Sequence, residues 1–428
     1  MEGKRRNKEK VKDNNIEKKD ENISQDKTVR KIKNIFVMII WIIVLISIIY
    51  QIAMLGLYTI GKVEKSKVPL YTAIDNIVTK YYPKYFETEE KYSINLSALG
   101  NIYTSKSIEY QYKNQDLDKL LINVKDSIKD SDLVIANLKI NESSKSTENF
   151  NINVINSFKK IGVDLFVTAN ENNFKKNKSS IDETNKIIND LKISQVGMSD
   201  NPYIFEQDNI KIGVLSYYLN LDKNEKAVEG KNANINYYTE ENLKNDVKYL
   251  QDNNTDFIIA YLDYPNDDEN RISLIQKQYA EKMLLSNVNA VFEVGSSAIK
   301  ETYEDIYMLD GGIQNHGYVM YSLGDVFGIY EKEFNISTSG KIEFIKKIVK
   351  DNLGNVLEDK TIKYMIVNNP EIYYKKKDKT SINIYSLVNV LKTNDIDVKL
   401  KEEASDIIKE YKDVLNIKST AKNEEKNN

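Results

Sequence analysis

The longest uncharged stretch of the chain covers residues 34–61, where apolar residues such as Ile39, Trp41 and Ile48 fall on every face of a helix. A helix rises about 1.5 Å per residue, so this stretch is long enough to cross a hydrocarbon layer of about 30 Å. A cleaved signal peptide has a shorter apolar region that ends in small residues, and a buried core helix is rarely apolar on every face. We therefore predict a transmembrane signal anchor over residues 34–61.

The flanks of this stretch differ in charge. Residues 1–33 hold twelve Lys/Arg against seven Asp/Glu, whereas Lys62, Lys65 and Lys67 are the nearby cations on the other side. Basic residues favour the cytoplasmic side of a membrane. We predict a disordered basic cytoplasmic tail over 1–33, a stalk over 62–92, and a large domain outside the cell at the cell membrane.

Beyond the stalk, short runs rich in β-branched residues alternate with longer amphipathic stretches, a pattern typical of an α/β domain with largely parallel strands. The predicted strands are Ile94–Leu99, Leu133–Asn137, Leu165–Thr168, Ile210–Tyr217, Phe257–Leu262, Ala290–Val294, Val319–Leu323, Lys341–Val349 and Ile362–Val367. The predicted helices are Leu117–Ile128, Asn151–Ile161, Ser180–Leu191, Glu240–Asp252, Ser273–Ser286, Ile382–Leu391 and Ala404–Val414. We place the α/β domain at 93–375 and a helical extension with a frayed tail at 376–428.

The composition limits the kinds of catalytic and metal-binding site that the chain can form. The 428 residues include no cysteine, which excludes disulfides, thiolate metal sites and cysteine nucleophiles. The single histidine, His316, leaves few ways to build a transition-metal centre, and we predict that it lies in an exposed turn. A formal net charge of -3 gives no sign of nucleic-acid binding.

Six motifs contain predicted strands and the residues at their ends: INLSALGNIY (94–103), DLVIANLK (132–139), GVDLFVTANEN (162–172), IKIGVLSYY (210–218), IAYLDYPND (259–267) and MYSLGDVF (320–327). In this order and spacing the chain resembles the CapA family, the poly-γ-glutamate capsule synthesis proteins, over residues 93–330. The resemblance implies a metallophosphoesterase-like sandwich, in which β-sheets are flanked by helices. Its site would lie at the carboxyl ends of the strands, where α/β sheets commonly bind ligands.

The chain departs from the family at the positions that resemble its metal-site and catalytic residues. The expected crevice consists of Asn101, Asn137, Lys139, Asn170, Glu171, Asn172, Asp263, Asp267, Ser297 and Asp325. Asn101 stands for an aspartate, Lys139 for a glutamate, and Asn172 and Asp263 for histidines. A lysine in place of a carboxylate opposes a dication electrostatically. We therefore expect no catalytic residues, no bound metal and no cofactor, and we expect that removing Asp263 and Asp267 leaves the fold intact.

The resemblance implies a membrane-anchored, non-catalytic protein that assists the synthesis, export or attachment of an anionic polymer such as poly-γ-glutamate. Its partners would be a polymer synthase or export complex and the polymer itself. Two alternatives remain open at this point. One is a metal-dependent phosphoesterase or hydrolase that holds Mg²⁺, Mn²⁺ or Ca²⁺ through a rebuilt set of oxygen ligands. The other is a structural or adhesive surface module.

Overall fold

A computed structural model of the protein describes most of the chain. The described residues are 3–59, 62, 67–70, 72–73, 87–140, 148–174, 178–198, 201–219, 235–264, 271–309, 312, 314–331, 335–351, 354–379 and 381–417. Two compact units are distinguished, one containing residues 1–88 and 349–357 and the other containing residues 89–348 and 358–428.

The first unit contains helix α1 (Gly3–Thr59). Within it, Lys33–Thr59 is a 27-residue segment that is long and apolar enough to cross a membrane, and Trp41 there is 68 % exposed. The helix already begins at Gly3, which differs from the disordered tail that we predicted for residues 1–33. The segment has no proline, and a helix that has formed in the apolar part extends at little cost through residues that tolerate helical geometry.

The second unit is built from two β-sheets with helices on their outer faces. The strands of these sheets are β1 (Thr88–Thr104), β2 (Leu133–Ile140), β3 (Leu165–Val167), β4 (Ser194–Val196), β5 (Tyr203–Gln207), β6 (Ile210–Tyr218), β7 (Phe257–Asp263), β8 (Ala290–Glu293), β9 (Thr302–Met308), β10 (Gln314–Met320), β11 (Asp325–Phe327), β12 (Ile336–Lys350), β13 (Ile362–Asp378) and β14 (Ser381–Ser386). Strands β1 and β12 each extend by one or two residues into the ranges of the first unit. The helices of the second unit are α2 (Lys106–Tyr112), α3 (Leu117–Leu120), α4 (Ile122–Ile128), α5 (Glu148–Ile161), α6 (Glu171–Phe174), α7 (Lys178–Asp190), α8 (Glu240–Asp252), α9 (Leu274–Leu285), α10 (Leu387–Lys392) and α11 (Val398–Tyr411).

Sheet 1 has eight strands in the order β14-β13-β12-β1-β2-β3-β4, and β11 pairs with β1 off this path. Sheet 2 has six strands in the order β5-β6-β7-β8-β10-β9. Strands β1 to β4 are parallel to one another, as are β6, β7, β8 and β10. Strand β11 is parallel to β1. The pairs β5–β6, β9–β10, β12–β13 and β13–β14 are antiparallel.

The main hydrophobic core lies between the two sheets, where side chains such as Leu96 and Ile135 of sheet 1 join Ile259 and Phe292 of sheet 2 in one cluster. A second cluster packs α5 and its neighbours on sheet 1, and a third packs α8 and α9 on sheet 2. Strands β2 and β7 face a core on both sides, so every residue of these two strands is buried. The layers are therefore helix, sheet, sheet and helix, which confirms the predicted fold class of β-sheets flanked by helices.

At the amino ends of the parallel strands, four polar residues hold the backbone of the neighbouring strand. Asp132, Asp164, Asp256 and Asn289 each come directly before a strand, and a side-chain oxygen of each accepts a hydrogen bond from a backbone N–H of the preceding strand at 2.8–2.9 Å. The backbone N–H of each also donates to a carbonyl of that strand. These four residues fix the register at the end of the sheets opposite to the predicted crevice.

Four predictions from the sequence need correction. We predicted a helix over Ile382–Leu391, but the structure has strand β14 up to Ser386, and only then helix α10. Ile382 and Ile384 are buried while the residues beside them are not, which is the two-residue period of a strand. The Ser386 hydroxyl accepts a hydrogen bond from the Asn389 N–H and so caps the start of helix α10.

The predicted helix Leu117–Ile128 is divided into α3 and α4.

His316 is not in a turn. It lies in β10, opposite Ile306 of β9, and its Nε2 is 2.8 Å from Glu304 Oε1. Strand β10 covers Gln314–Met320, whereas we predicted Val319–Leu323. Gly317 lies beside His316 in the same strand, where a Cβ would come within 2.9 Å of the Tyr307 ring. A glycine at this position therefore allows β10 to pack closely against Tyr307.

Candidate functional site

The candidate site is a group of buried polar residues at the carboxyl ends of the parallel strands. We call it the strand-end cluster, and it consists of Asn101, Asn137, Lys139, Asn170, Asp263 and Asp325. Asn101 of β1 is in register with Asn137 of β2 on one side and with Asp325 of β11 on the other. Asn170 follows β3, and Asp263 ends β7 of the other sheet. Because parallel strands end at the same edge, residues far apart in sequence come together here.

Three asparagine side chains of the cluster form a continuous chain of hydrogen bonds. Asn170 Nδ2 donates to Asn137 Oδ1 at 3.2 Å, and Asn137 Nδ2 donates to Asn101 Oδ1 at 2.8 Å. Asn101 Nδ2 in turn donates to Asp325 Oδ1 at 2.7 Å. The Asn170 Oδ1 atom accepts from the Asn173 N–H at 3.0 Å. Each amide oxygen is therefore already an acceptor within the protein, and the chain of amides ends on one carboxylate.

The second part of the cluster is a buried ion pair between the two sheets. Lys139 Nζ lies 2.7 Å from Asp263 Oδ2, and the two side chains are only 6 % and 1 % exposed. The Glu171 N–H donates to the other oxygen of Asp263 at 3.1 Å. Burial raises the pKa of Asp263, while the Lys139 ammonium and the Glu171 N–H act in the opposite direction. Lys139 takes the place of a glutamate in the family pattern, and Asp263 takes the place of a histidine. The two replacements thus form an ion pair with each other.

The other predicted residues are arranged differently. Asn172 Nδ2 donates to the Tyr103 hydroxyl at 2.9 Å, and Glu171 reaches the cluster through its backbone N–H. Ser297 is half-buried, and it is the carbonyl oxygen of the preceding residue, Ser296, that accepts from Asn101 Nδ2 at 3.2 Å. Asp267 lies outside the described residues.

Two further buried cations were not predicted. Lys375 is fully buried in β13, and its Nζ donates to the Asp325 backbone oxygen at 3.0 Å. Burial lowers the pKa of Lys375, and Asp325 opposes this. Lys300 is also buried, and its Nζ donates to the carbonyl of Arg271 at 3.1 Å. Lys375 lies in a run of three lysines, so the sequence holds no signal that singles it out.

These residues do not fit a catalytic dication of the kind that metal-dependent hydrolases use. Within the ranges that the structure describes, no group of three or more His, Asp or Glu residues could hold a metal ion. In the strand-end cluster, Asp263 is already neutralised by an ammonium at 2.7 Å, and the amide oxygens are occupied as acceptors. A dication there would have to displace Lys139 or bear its repulsion at low effective dielectric.

Fold and site together define a class of protein: a four-layer domain of two β-sheets and flanking helices, with its polar site at the carboxyl ends of the parallel strands. The particular family is given by the sequence. Residues 95–329, more than half of the chain, match the model of the bacterial capsule synthesis proteins of the PGA_cap type, and the chain belongs to that family. This confirms the resemblance to CapA proteins. No curated protein matched the sequence.

Several solved structures are similar to this chain at low identity. The sulfate thiohydrolase SoxB of Thermus thermophilus is 10% identical with a TM-score of 0.35, and the match covers 59% of this chain and 42% of that one. The calcineurin-like phosphoesterase YfkN of Bacillus subtilis is 10% identical with a TM-score of 0.39, covering 75% of this chain and 100% of that one. A 5'-nucleotidase of Candida albicans is 12% identical with a TM-score of 0.33, covering 60% and 51%. The chain thus spans less than half of SoxB, and the family assignment rests on the sequence match.

Proposed function

We propose that this chain is a membrane-anchored, non-hydrolytic member of the capsule synthesis family. It assists the synthesis, export or attachment of an anionic capsule polymer such as poly-γ-glutamate, beside a polymer synthase or export complex. The observation that carries the proposal is the ion pair between Lys139 and Asp263, which lies among the residues that match the family's site.

Two features argue against hydrolysis: the positive charge of Lys139 beside Asp263, and the hydrogen bonds that already occupy the amides of the cluster. Metal-assisted hydrolysis needs a dication with an open coordination position and a bound water. Here the ammonium of Lys139 occupies the place beside Asp263, and the amides of Asn101, Asn137 and Asn170 are committed to one another. Their exchange for metal ligands would leave a buried ammonium without its counter-ion, which is costly.

The argument for the location comes from helix α1. Its Lys33–Thr59 segment suits a single membrane span, and the excess of basic residues before that segment favours a cytoplasmic amino terminus. The α/β unit would then lie outside the cell, where a capsule polymer emerges.

The test of the non-hydrolytic role uses the full chain in detergent. After incubation with Mn²⁺, Mg²⁺ or Ca²⁺ and gel filtration, we expect less than one tightly bound metal per chain, and no hydrolysis of bis-p-nitrophenyl phosphate above the blank. Stoichiometric metal in the wild type, with turnover that is lost on chelation, would overturn the proposal.

The role in the capsule is tested in the cells that carry the gene. Deletion should lower the polymer held at the cell surface, and the wild-type gene should restore it. A version in which residues 33–59 are replaced by a cleavable signal peptide should not restore it. Unchanged surface polymer in the deletion strain would contradict a capsule role and would favour an adhesive or structural module.

A further inference from the structure

A separate pocket of about 280 Å³ opens between helix α9 and the pair of strands β9 and β10. We call it the tyrosine pocket, and the lining residues that the argument uses are Tyr303, Tyr307, Tyr321, Glu281, Glu301 and Lys277. This volume lies just below the usual range for small-molecule sites, so it suits one small group rather than a long polymer segment.

The floor of the pocket is a buried phenol. Tyr321 follows β10 and is 6 % exposed, and its hydroxyl makes no hydrogen bond within the part of the chain that the structure describes. On the wall, the Tyr303 hydroxyl donates to Asp305 Oδ2 at 2.7 Å, and Tyr307 lines the pocket beside it. The Tyr303 hydroxyl is thus engaged, whereas the floor hydroxyl is free to bind a ligand.

Acidic groups dominate the electrostatics of the pocket. Burial raises the pKa of both Tyr321 and Tyr307, and the charge of Glu281 adds to the increase at both rings. Glu293, buried at the end of β8, also raises the pKa of Tyr321. Two carboxylates, those of Glu281 and Glu301, line the pocket against one ammonium, that of Lys277. This balance of charge favours a cationic ligand over an anionic polymer.

We propose that the tyrosine pocket binds a primary alkylammonium group. Tyrosine rings attract cations through their faces, and the attraction increases when the cation loses water. The carboxylates of Glu281 and Glu301 supply the counter-charge, and the Tyr321 hydroxyl accepts a hydrogen bond from the ammonium. The pocket and the strand-end cluster share no residue, so this proposal does not depend on the proposed function.

Isothermal titration of the full chain in detergent provides the test. Two probes distinguish the sources of the group: n-butylammonium is a free small amine, and Nα-acetyl-lysine N-methylamide is a lysine side chain on a peptide backbone. Nα-acetyl-norleucine N-methylamide is the neutral match for the second probe. We expect saturable binding of at least one amine and none of the neutral compound. Tighter binding of the lysine probe would assign the site to a peptide, and tighter binding of the free amine would assign it to a small ligand.

Variants test whether the amine binds in the tyrosine pocket. The double variant Glu281→Gln/Glu301→Gln should weaken the amine by about tenfold, because both counter-charges are lost near a protein surface. Glu402→Gln on helix α11 makes the same kind of charge change elsewhere and should leave binding unchanged. Lys277→Met removes the competing cation and should tighten binding. The proposal would be overturned if the neutral probe bound as well as the amines, or if neither amine bound saturably. It would also be overturned if the double variant bound the amine as the wild type does, with unchanged melting, or if Lys277→Met bound it more weakly.

Discussion

The two ends of the parallel strands carry the same kinds of residue, Asp and Asn, and use them in different ways. At the amino ends, Asp132 and Asp164 accept hydrogen bonds from backbone N–H groups of the adjacent strand in the same sheet, and Asp132 also accepts one from Gln207 of the other sheet. At the carboxyl ends, Asn101 and Asn137 bind other side chains, and Lys139 bridges the two sheets to Asp263. The amino ends therefore fix strand register, whereas the carboxyl ends form a closed network of side chains.

The difference also appears in solvent exposure and charge. Asp256 at the amino ends is buried, but Lys346 and Lys363, which lie 2.9 and 2.8 Å from it, are 18% and 42% exposed. At the carboxyl ends both partners of the Lys139–Asp263 pair are buried. A partner that reaches water loses little when its counter-ion is removed, whereas a buried partner is left without solvation. Mutations should therefore be far more costly at the carboxyl ends.

The largest effect is expected for Lys139→Met. It leaves the carboxylate of Asp263 buried without its counter-ion, which should lower the free energy of unfolding by about 3–5 kcal/mol. The ion pair thus reverses our expectation from the sequence that removing Asp263 leaves the fold intact. Chemical denaturation of the full chain in detergent measures the effect.

A double variant separates the charge from the packing. Lys139→Met/Asp263→Asn removes both charges and keeps an oxygen for the Glu171 N–H, so it should recover most of the lost stability. At the exposed pair of Lys282 and Glu240, 2.6 Å apart, Lys282→Met should cause no measurable change. A stability of Lys139→Met equal to that of the wild type would mean that the pair does not exist as described.

A smaller effect is expected for Asn137→Ala, which interrupts the chain of amides. The change leaves Asn101 Oδ1 without its donor and Asn170 Nδ2 with only the Leu138 carbonyl at 2.9 Å. Buried polar groups that lose their partners cost about 1–3 kcal/mol, so we expect a loss of about 2 kcal/mol. Asn172→Ala serves as the control, because its side chain bonds to Tyr103 and not to the cluster. Equal losses for the two variants would show that the amides do not act as a connected network.

The sequence predicts the strands of this fold better than the contacts of its site. The predicted strand Phe257–Leu262 matches β7, Phe257–Asp263, because a run of apolar residues facing two cores is distinctive. The placement of Asn101, Asn137 and Asp263 at strand ends also followed from the pattern. The pairing of Lys139 with Asp263 did not, since it depends on how the two sheets are stacked. Lys375 was missed because burial of one lysine in a run of three is decided by tertiary packing.

The smallest effect is expected at the amino ends, for Asp164→Asn. The amide oxygen can still accept from the Val134 N–H, at 2.9 Å in the wild type, so stability at neutral pH should change by no more than about 1 kcal/mol.

The same variant has a pH dependence. Burial raises the pKa of Asp164 above its ordinary value of 3.8, with the Val134 N–H opposing this. A carboxyl group with a raised pKa in the folded state contributes stability below its unfolded pKa, and this contribution disappears as pH rises through the folded pKa. The wild type should therefore lose stability relative to Asp164→Asn as pH rises from below 3.8. Urea denaturation of both proteins over a pH series measures the difference, and a wild type that instead gains on the variant with rising pH would show that the N–H outweighs burial.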